Sequence, residues 1–440
     1  MLPGKSKRLH YSLHGFACKC ELATVKCSLF LLLIFASTAC TKTISTRLAQ
    51  TNDWIILDDT GEQTNCLSSA NFEVDSTHLD FWPIKYVRLG LHVMDKASRP
   101  FSMDSITGPK KLQNLVKLSN HYLGKRQRLY LPKDNNFPAT TTRMRYVIAP
   151  DVDPKNDGIY FHYDEEMPYH MHNGKFQNRG DNSIFKKYKF RNDSILNIFF
   201  ISHPPDSVAS KTYGTGNSGV AFGSRYMKMI SHWHEFENPW PVHQTFLHEV
   251  SHIFTLNHSW IKNDGCEDTP QHKNCWNYNE PSGCQEISNN VMDYSAHSIA
   301  FSPCQIGRMH AVMAKEGSQQ RAYLQPNWCE GKNRTIELRD TFILRHETDL
   351  EGNLTLLPGA YLEVRCRLSI PKGKRITVQP GATLALAGGK LHNSCGLGWE
   401  GLYVEQIGRK RGILKLIGDG STIEDAIGGS VLPSLLTLSN

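Results

Sequence analysis

The most specific chemical signal in the chain is Phe246-Leu247-His248-Glu249-Val250-Ser251-His252-Ile253-Phe254-Thr255-Leu256-Asn257-His258. At about 100° per residue, His248 and His252 fall about 40° apart on one helix face, one turn from each other, so both imidazoles can reach one ion. Glu249 lies beside them, placed to act as base toward water without being a ligand itself. His258 follows after a gap that lets the chain leave the helix and return a third nitrogen. Three histidines with an open fourth position are what catalytic zinc requires, whereas a structural zinc site would be closed by four protein ligands and have no use for Glu249.

A second element agrees. Asn290-Val291-Met292-Asp293-Tyr294-Ser295 resembles the Met-turn of metzincin peptidases, in which Met292 would form an apolar floor beneath the histidines and Tyr294 would stabilise the oxyanion. Asp264-Gly265-Cys266-Glu267-Asp268-Thr269-Pro270, Phe301-Ser302-Pro303-Cys304-Gln305 with Arg308-Met309, and Leu196-Asn197-Ile198 narrow the resemblance to pappalysin-type metzincins, which include cytophagalysin-like bacterial enzymes. It covers about Ile84 to Met313. It implies zinc on His248, His252 and His258, hydrolysis of a protein or peptide with Glu249 as proton acceptor and donor, and Asp264, Asp268 and Thr269 as candidate calcium donors, the alternative being an ordinary Asx-and-Pro turn.

Two positions depart from the family. Thr255 stands where a left-handed Gly is expected, at a cost of roughly 1–2 kcal/mol for a β-branched residue, so the turn is expected to move onto Asn257. Cys304 replaces a Gly and trades a turn residue for a disulfide.

Elements must position these groups. Ile84 to Met94 alternates like a strand, Pro109 to Leu123 reads as an amphipathic helix, and Arg145–Ile148 and Ile195–Ile201 read as strands. Phe246, Ile253 and Phe254 follow the inward stripe of the active helix and are read as core. The polar stretch 155–192 reads as a long loop whose His162, His170 and His172 are solvated surface.

After Arg334 the pattern changes. Leu354-Thr355-Leu356 and Pro358-Gly359-Ala360 return as Ile376-Thr377-Val378 and Pro380-Gly381-Ala382, a period of 22 residues. Short strands at that spacing predict a right-handed parallel β-helix, with an antiparallel sandwich as the alternative. The region is either short or truncated. Arg409-Lys410-Arg411 reads as a solvated turn. The expected organisation is therefore α+β: residues 1–40 a signal segment, 41–83 an N-terminal segment, 84–330 a metzincin-type catalytic domain, and 335–440 an all-β solenoid.

The apolar run Ser28 to Ala39 behind several basic residues matches a secretory signal and is too short to span a bilayer. Ser37-Thr38-Ala39-Cys40 resembles a bacterial lipobox, which makes Cys40 a candidate lipidation site and the protein exported, either lipid-anchored at the cell surface or secreted. Of the net charge of +7, residues 1–40 carry +4; the remaining +3 is too small to argue for nucleic acid. Eight of the twelve cysteines lie beyond Cys40, an even set that suggests disulfides, with Cys266, Cys275, Cys284 and Cys304 as local staples. Cys66 could instead cap the zinc as a latency switch. The rival function is a surface adhesin with a vestigial zinc site.

Overall fold

The structure is a computed structural model that describes residues 43–433 apart from 60, 62, 150–155, 170–180, 191–193, 212–215, 277–283, 285 and 430–431. The expected signal segment with Cys40, and His170 and His172, lie outside the described residues.

The first strands, β1 (Ile44–Leu48) and β2 (Trp54–Leu57), precede a second group: β3 (Lys85–Asp95), β4 (Met144–Ile148), β5 (Ile159–Tyr163), β6 (Leu196–Ser202), β7 (Ser218–Phe222) and β8 (Tyr226–Ser231). The second group forms one sheet in the order β4-β3-β6-β8-β7, with β5 extending β4's side of β3. All its pairings are parallel except β7 on β8. Parallel strands need crossover connections, and helices supply them: Gly108–Gly124 follows β3. The region expected to be catalytic is thus mixed α/β with strands and helices alternating, a correction to the α+β expectation. β3 carries no exposed residue because both its faces are covered, so the polar members of its alternation, such as His92 and Asp95, are buried as well. Leu112 and Leu115 of the helix after β3, and Phe246 and Val250 of the active helix Trp240–Ile253, share one core with β3 and Met292.

Strands expected at 84–94, 145–148 and 195–201 and the helix at 109–123 are found within a residue or so of those bounds. The polar stretch 155–192 is not all loop. β5 pairs with β3, and His162 on it bonds to the buried His92 (Nε2 to Nδ1, 2.9 Å), so this histidine is half-buried rather than solvated.

The C-terminal strands are β9 (Thr335–Leu338), β10 (Thr341–Leu344), β11 (Thr348–Asp349), β12 (Asn353–Leu356), β13 (Tyr361–Val364), β14 (Arg367–Ser369), β15 (Arg375–Val378), β16 (Thr383–Leu386), β17 (Lys390–His392), β18 (Gly401–Ile407), β19 (Lys410–Arg411), β20 (Ile413–Ile417) and β21 (Thr422–Ile423). They sort into three sheets, β18-β15-β12-β9, β10-β13-β16-β20 and β11-β14-β17-β21, every pairing along these paths parallel. Leu354 pairs with Ile376 and Tyr361 with Thr383, so the 22-residue repeat is the sheet register. Parallel pairing overturns the sandwich alternative. The side chains of Leu354, Leu356, Leu362, Val364, Ile376 and Val378 fill the interior. Arg409-Lys410-Arg411 is exposed, as expected, but only Arg409 lies in the turn: Lys410 and Arg411 form β19 against β18, and Arg411 reaches Asp53 (3.3 Å).

The 41–83 segment joins these sheets: β1 runs antiparallel along β18 and β2 parallel along β20, so two strand edges that would otherwise invite pairing with other chains are covered. Cys66 is bonded to Cys366 across 300 residues. A buried carboxylate, Asp349 on β11, receives Lys85 of β3 (3.0 Å), both nitrogens of Arg321 (2.8 and 2.9 Å) and Arg367 of β14 (2.7 Å). Residues from the β3 sheet and from the C-terminal parallel sheets thus share one charge cluster.

Candidate active site

The active helix starts with Pro241 in its first turn and ends at Phe254, and the chain behind it turns sharply. The Thr255 N–H donates to the His252 carbonyl (3.0 Å) and the Leu256 N–H to the Ser251 carbonyl (3.1 Å), the paired bonds of a Schellman cap. Thr255 occupies its left-handed position at φ 71°, so the expected shift onto Asn257 does not occur. Arg308 explains how the strain is held: its guanidinium donates to the Thr255 carbonyl (3.0 Å) and the Asp264 carbonyl (3.2 Å), clamping the turn from the helix Pro303–Ala314. The cap also brings the Leu256 carbonyl to Nδ1 of His252 (2.7 Å), so the turn that redirects the chain orients one of the histidines.

The three Nε2 atoms converge. His248 and His252 are 3.1 Å apart, His252 and His258 3.1 Å, and His258 and His248 3.2 Å. Tetrahedral ligands at zinc bond lengths of about 2.0–2.1 Å sit roughly 3.3 Å from each other, so the triangle has the size of a zinc site. Nδ1 of His248 bonds to the Val291 carbonyl (2.7 Å), which with the His252–Leu256 bond fixes the proton on Nδ1 and aims the Nε2 lone pairs inward. Burial lowers all three titrations, with neighbouring rings adding to it for His248, to about 3, and for His258, to about 4, which keeps the imidazoles in the neutral, ligating form. Three bare lone pairs at this distance repel unless a cation lies among them; the donor set fits a metal.

Glu249 is buried, 8% exposed, and edge strand β7 passes directly over it: a β-carbon on Gly219 would fall 2.3 Å from Glu249 Cγ. Gly219 carried no sequence signal, since its role depends on a strand far away in the chain. Met292 is fully buried; its carbonyl accepts from the Ser259 N–H (3.4 Å), next to His258, while the preceding carbonyl holds His248. The turn is fixed by Asn290, whose Oδ1 accepts from the Met292 N–H (2.8 Å) and from Gln305 (3.1 Å). Gln305 also closes a capping box with Ser302, which gives the Ser302-Pro303-Cys304-Gln305 phrase its local purpose. Tyr294 Oη lies 3.4 Å from His258 Nε2, on the open side of the triangle. Trp260, missed in the sequence, stacks on His258 with ring centres 4.1 Å apart.

Phe246, Ile253 and Phe254 are fully buried core, as expected. Asp264, Asp268 and Thr269 lie in one turn. Asp264 accepts from the Cys266 N–H (2.9 Å) and the Thr269 hydroxyl (2.5 Å), and Asp268 from the Cys304 N–H (2.9 Å). Only Oδ1 of Asp268 is enclosed without a hydrogen-bond partner among the described residues, one open oxygen where calcium takes six to eight ligands. Cys266 pairs with Cys304 and Cys275 with Cys284, bracing this turn and the nearby loop; Cys329 pairs with Cys395. Cys66, spent on Cys366, is no thiolate cap for the histidines.

A cavity of about 760 Å³ opens beside His248 and Glu249, walled by Gly219, Trp240, Trp276 and Tyr294. Three of its polar side chains are already engaged: Asn217 with Pro241 and Ser231, Gln244 with Ala296, Asp293 with Ser259 and His272.

No protein-family description and no curated protein matches the chain. Among solved structures, mirolysin in complex with compound 9 is similar over 55% of this chain and 96% of that one, with 17% identity and a TM-score of 0.39. Mature mirolysin of Tannerella forsythia in complex with a cleaved peptide is similar over 54% and 94%, with 16% identity and a TM-score of 0.37.

Proposed function

We propose that the protein is an exported zinc metalloendopeptidase of the pappalysin-like metzincin type. The observation that carries this is the triangle of three neutral imidazoles 3.1–3.2 Å apart, with Glu249 beside it and the Tyr294 hydroxyl on its open side. His248, His252 and His258 would hold the zinc, which supplies Lewis-acid polarisation of water and of a carbonyl when bound. Glu249 takes the proton of the attacking water as it adds to the scissile peptide carbonyl, then returns that proton to the leaving amine. Enclosed by β7, the carboxylate is kept close to the site with little competing water. Tyr294 donates a hydrogen bond to the oxyanion that forms.

Four disulfides that together use all eight cysteines beyond Cys40 support export, since such pairs persist only in oxidising compartments. In this reading Cys40 is the lipid-bearing residue of a surface lipoprotein, and the three parallel sheets coil as a β-helix that carries the catalytic region. Calcium, if bound, would use Asp268 with Asp264 and Thr269. No helix among the described residues is long and apolar enough to cross a membrane.

The test is paired: zinc content and peptide-library cleavage for wild type and Glu249→Gln. Both variants should hold zinc and only the wild type should cleave; removal of metal by a chelator should abolish cleavage and zinc should restore it. Zinc binding without cleavage in the wild type would favour the adhesin instead.

A further inference from the structure

A second group of metal-ligating side chains stands apart from the three histidines in the chain. β6 and β8 run parallel, and immediately beyond β8 the chain makes a short 3-10 turn, Trp233–Glu235. Trp233 is wholly buried, its Nε1 donates to the Ile201 carbonyl (2.8 Å), and its ring packs on Phe200. The Glu235 N–H donates to the His232 carbonyl (3.1 Å), closing the turn. With the indole as anchor, His232, His234 and Glu235 project from one short, fixed stretch of backbone. One ring nitrogen of each histidine and a Glu235 oxygen lie within 4.8 Å of one another. Nδ1 of His232 is 4.0 Å from one Glu235 oxygen and Nε2 of His234 is 3.4 Å from the other. Both rings are held from behind, His232 by the His203 ring at 5.3 Å and His234 by the Phe101 ring at 3.8 Å.

We propose that His232, His234 and Glu235 form a second site for a divalent transition-metal ion, with two imidazoles, one carboxylate and solvent as ligands. That set suits zinc, copper or nickel, because imidazole is a borderline ligand and an all-oxygen cage is absent. Tetrahedral ligand pairs at zinc lie roughly 3.3 Å apart, so gaps of up to 4.8 Å must close by up to about 1.5 Å. The Glu235 side chain can move toward both rings without disturbing the core, being 70% exposed, and small rotations of the two histidines, each about a fifth exposed, close the rest. The other ring nitrogens, Nε2 of His232 and Nδ1 of His234, are enclosed with no hydrogen-bond partner among the described residues. Two histidines of the first site, His248 and His252, have carbonyl partners there, and losing such outer support weakens a metal site about 10- to 100-fold. The second ion therefore binds more weakly than the first by about that factor. Joined to the β8 end of the sheet, it would fasten the segment that leads into the active helix.

The experiment titrates the full chain, stripped of metal, with zinc and separately with cobalt(II), in wild type, Glu235→Gln, His234→Ala and the double variant His248→Ala/His252→Ala. Wild type should take up two equivalents in two steps. Glu235→Gln should weaken the second step at least tenfold while leaving the first step and the melting temperature of the stripped protein unchanged. The double variant should retain the weaker step alone, which separates failure of the three-histidine reading from failure of this one. A single equivalent in wild type that the double variant loses, or a weaker step that survives both Glu235→Gln and His234→Ala, overturns the proposal.

Discussion

Gly219 and Glu249 are in such close apposition that even a methyl group on the glycine would overlap the glutamate side chain, at 2.3 Å from Cγ and 2.9 Å from Oε1. The edge strand β7 and the active helix therefore meet through a residue with no side chain. Gly219→Ala must displace either the strand or the carboxylate. Because a misplacement of about 1 Å can cost about 100-fold in rate, the variant should lose 10- to 100-fold in kcat while keeping its zinc and its fold. Steady-state kinetics with metal analysis decides this, and wild-type turnover in Gly219→Ala would mean that β7 yields freely.

Thr255 holds a backbone angle that β-branched residues avoid, at the position where Schellman caps use glycine. Thr255→Gly should therefore raise stability by about 1 kcal/mol and leave zinc affinity intact, since the His252–Leu256 bond is preserved. Denaturant unfolding measures the change. Destabilisation by Thr255→Gly would show that the Arg308 clamp, rather than the angle, sets the energy of the turn.

Asp349 neutralises three cations from two parts of the chain, and its carboxyl is held well below the usual range by Lys85, Arg367 and Arg321 despite a burial that opposes this. Asp349→Ala would leave those cations buried and unpaired, a loss of about 3–5 kcal/mol. Thermal unfolding should show it, with the catalytic region and the parallel sheets weakened together. A melting temperature within a degree of wild type would mean that Glu347 and Glu351 substitute for it.

Acid should destabilise the protein before its carboxylates titrate. Burial lowers His92 and His346 to about 3 and His310 to about 4, against 6.5 for the exposed group. Between these values the unfolded chain binds more protons, so stability falls as pH drops below 6.5 and levels off near 3 to 4. Each histidine contributes up to about 1.4 kcal/mol per pH unit in that window. Urea unfolding at pH 7, 6 and 5 should show the decline, and a flat profile would contradict the neutral, buried state of these rings.

The cavity beside Glu249 offers the indoles of Trp240 and Trp276, while its amides and the Asp293 carboxylate already have partners. It should accept a large uncharged side chain, because the indoles offer apolar surface and, of its two carboxylates, Asp293 is paired and Glu249 is taken up by the proposed chemistry. Mapping cleavage products should show aromatic or long aliphatic residues enriched at one position next to the cut, and Trp276→Ala should blunt that preference. Enrichment of Arg or Lys there would refute the assignment.

The spacing of His248, His252 and His258 and the 22-residue phrase after Arg334 were legible in the sequence because each is written locally: helical pitch puts two imidazoles on one face, and parallel register repeats the same residues at the same interval. The single strands of the catalytic sheet were legible for the same reason. Tertiary structure alone decided the rest. That β1 and β2 join the far end of the chain, that Cys66 meets Cys366, and that Asp349 receives Lys85 depend on contacts hundreds of residues apart, which no periodicity encodes. Likewise Gly219 matters only because β7 is an edge strand lying over Glu249, and Thr255 keeps its left-handed angle only because Arg308 reaches it from another helix. Local pattern sets which groups can do chemistry, and packing between distant segments sets where they stand.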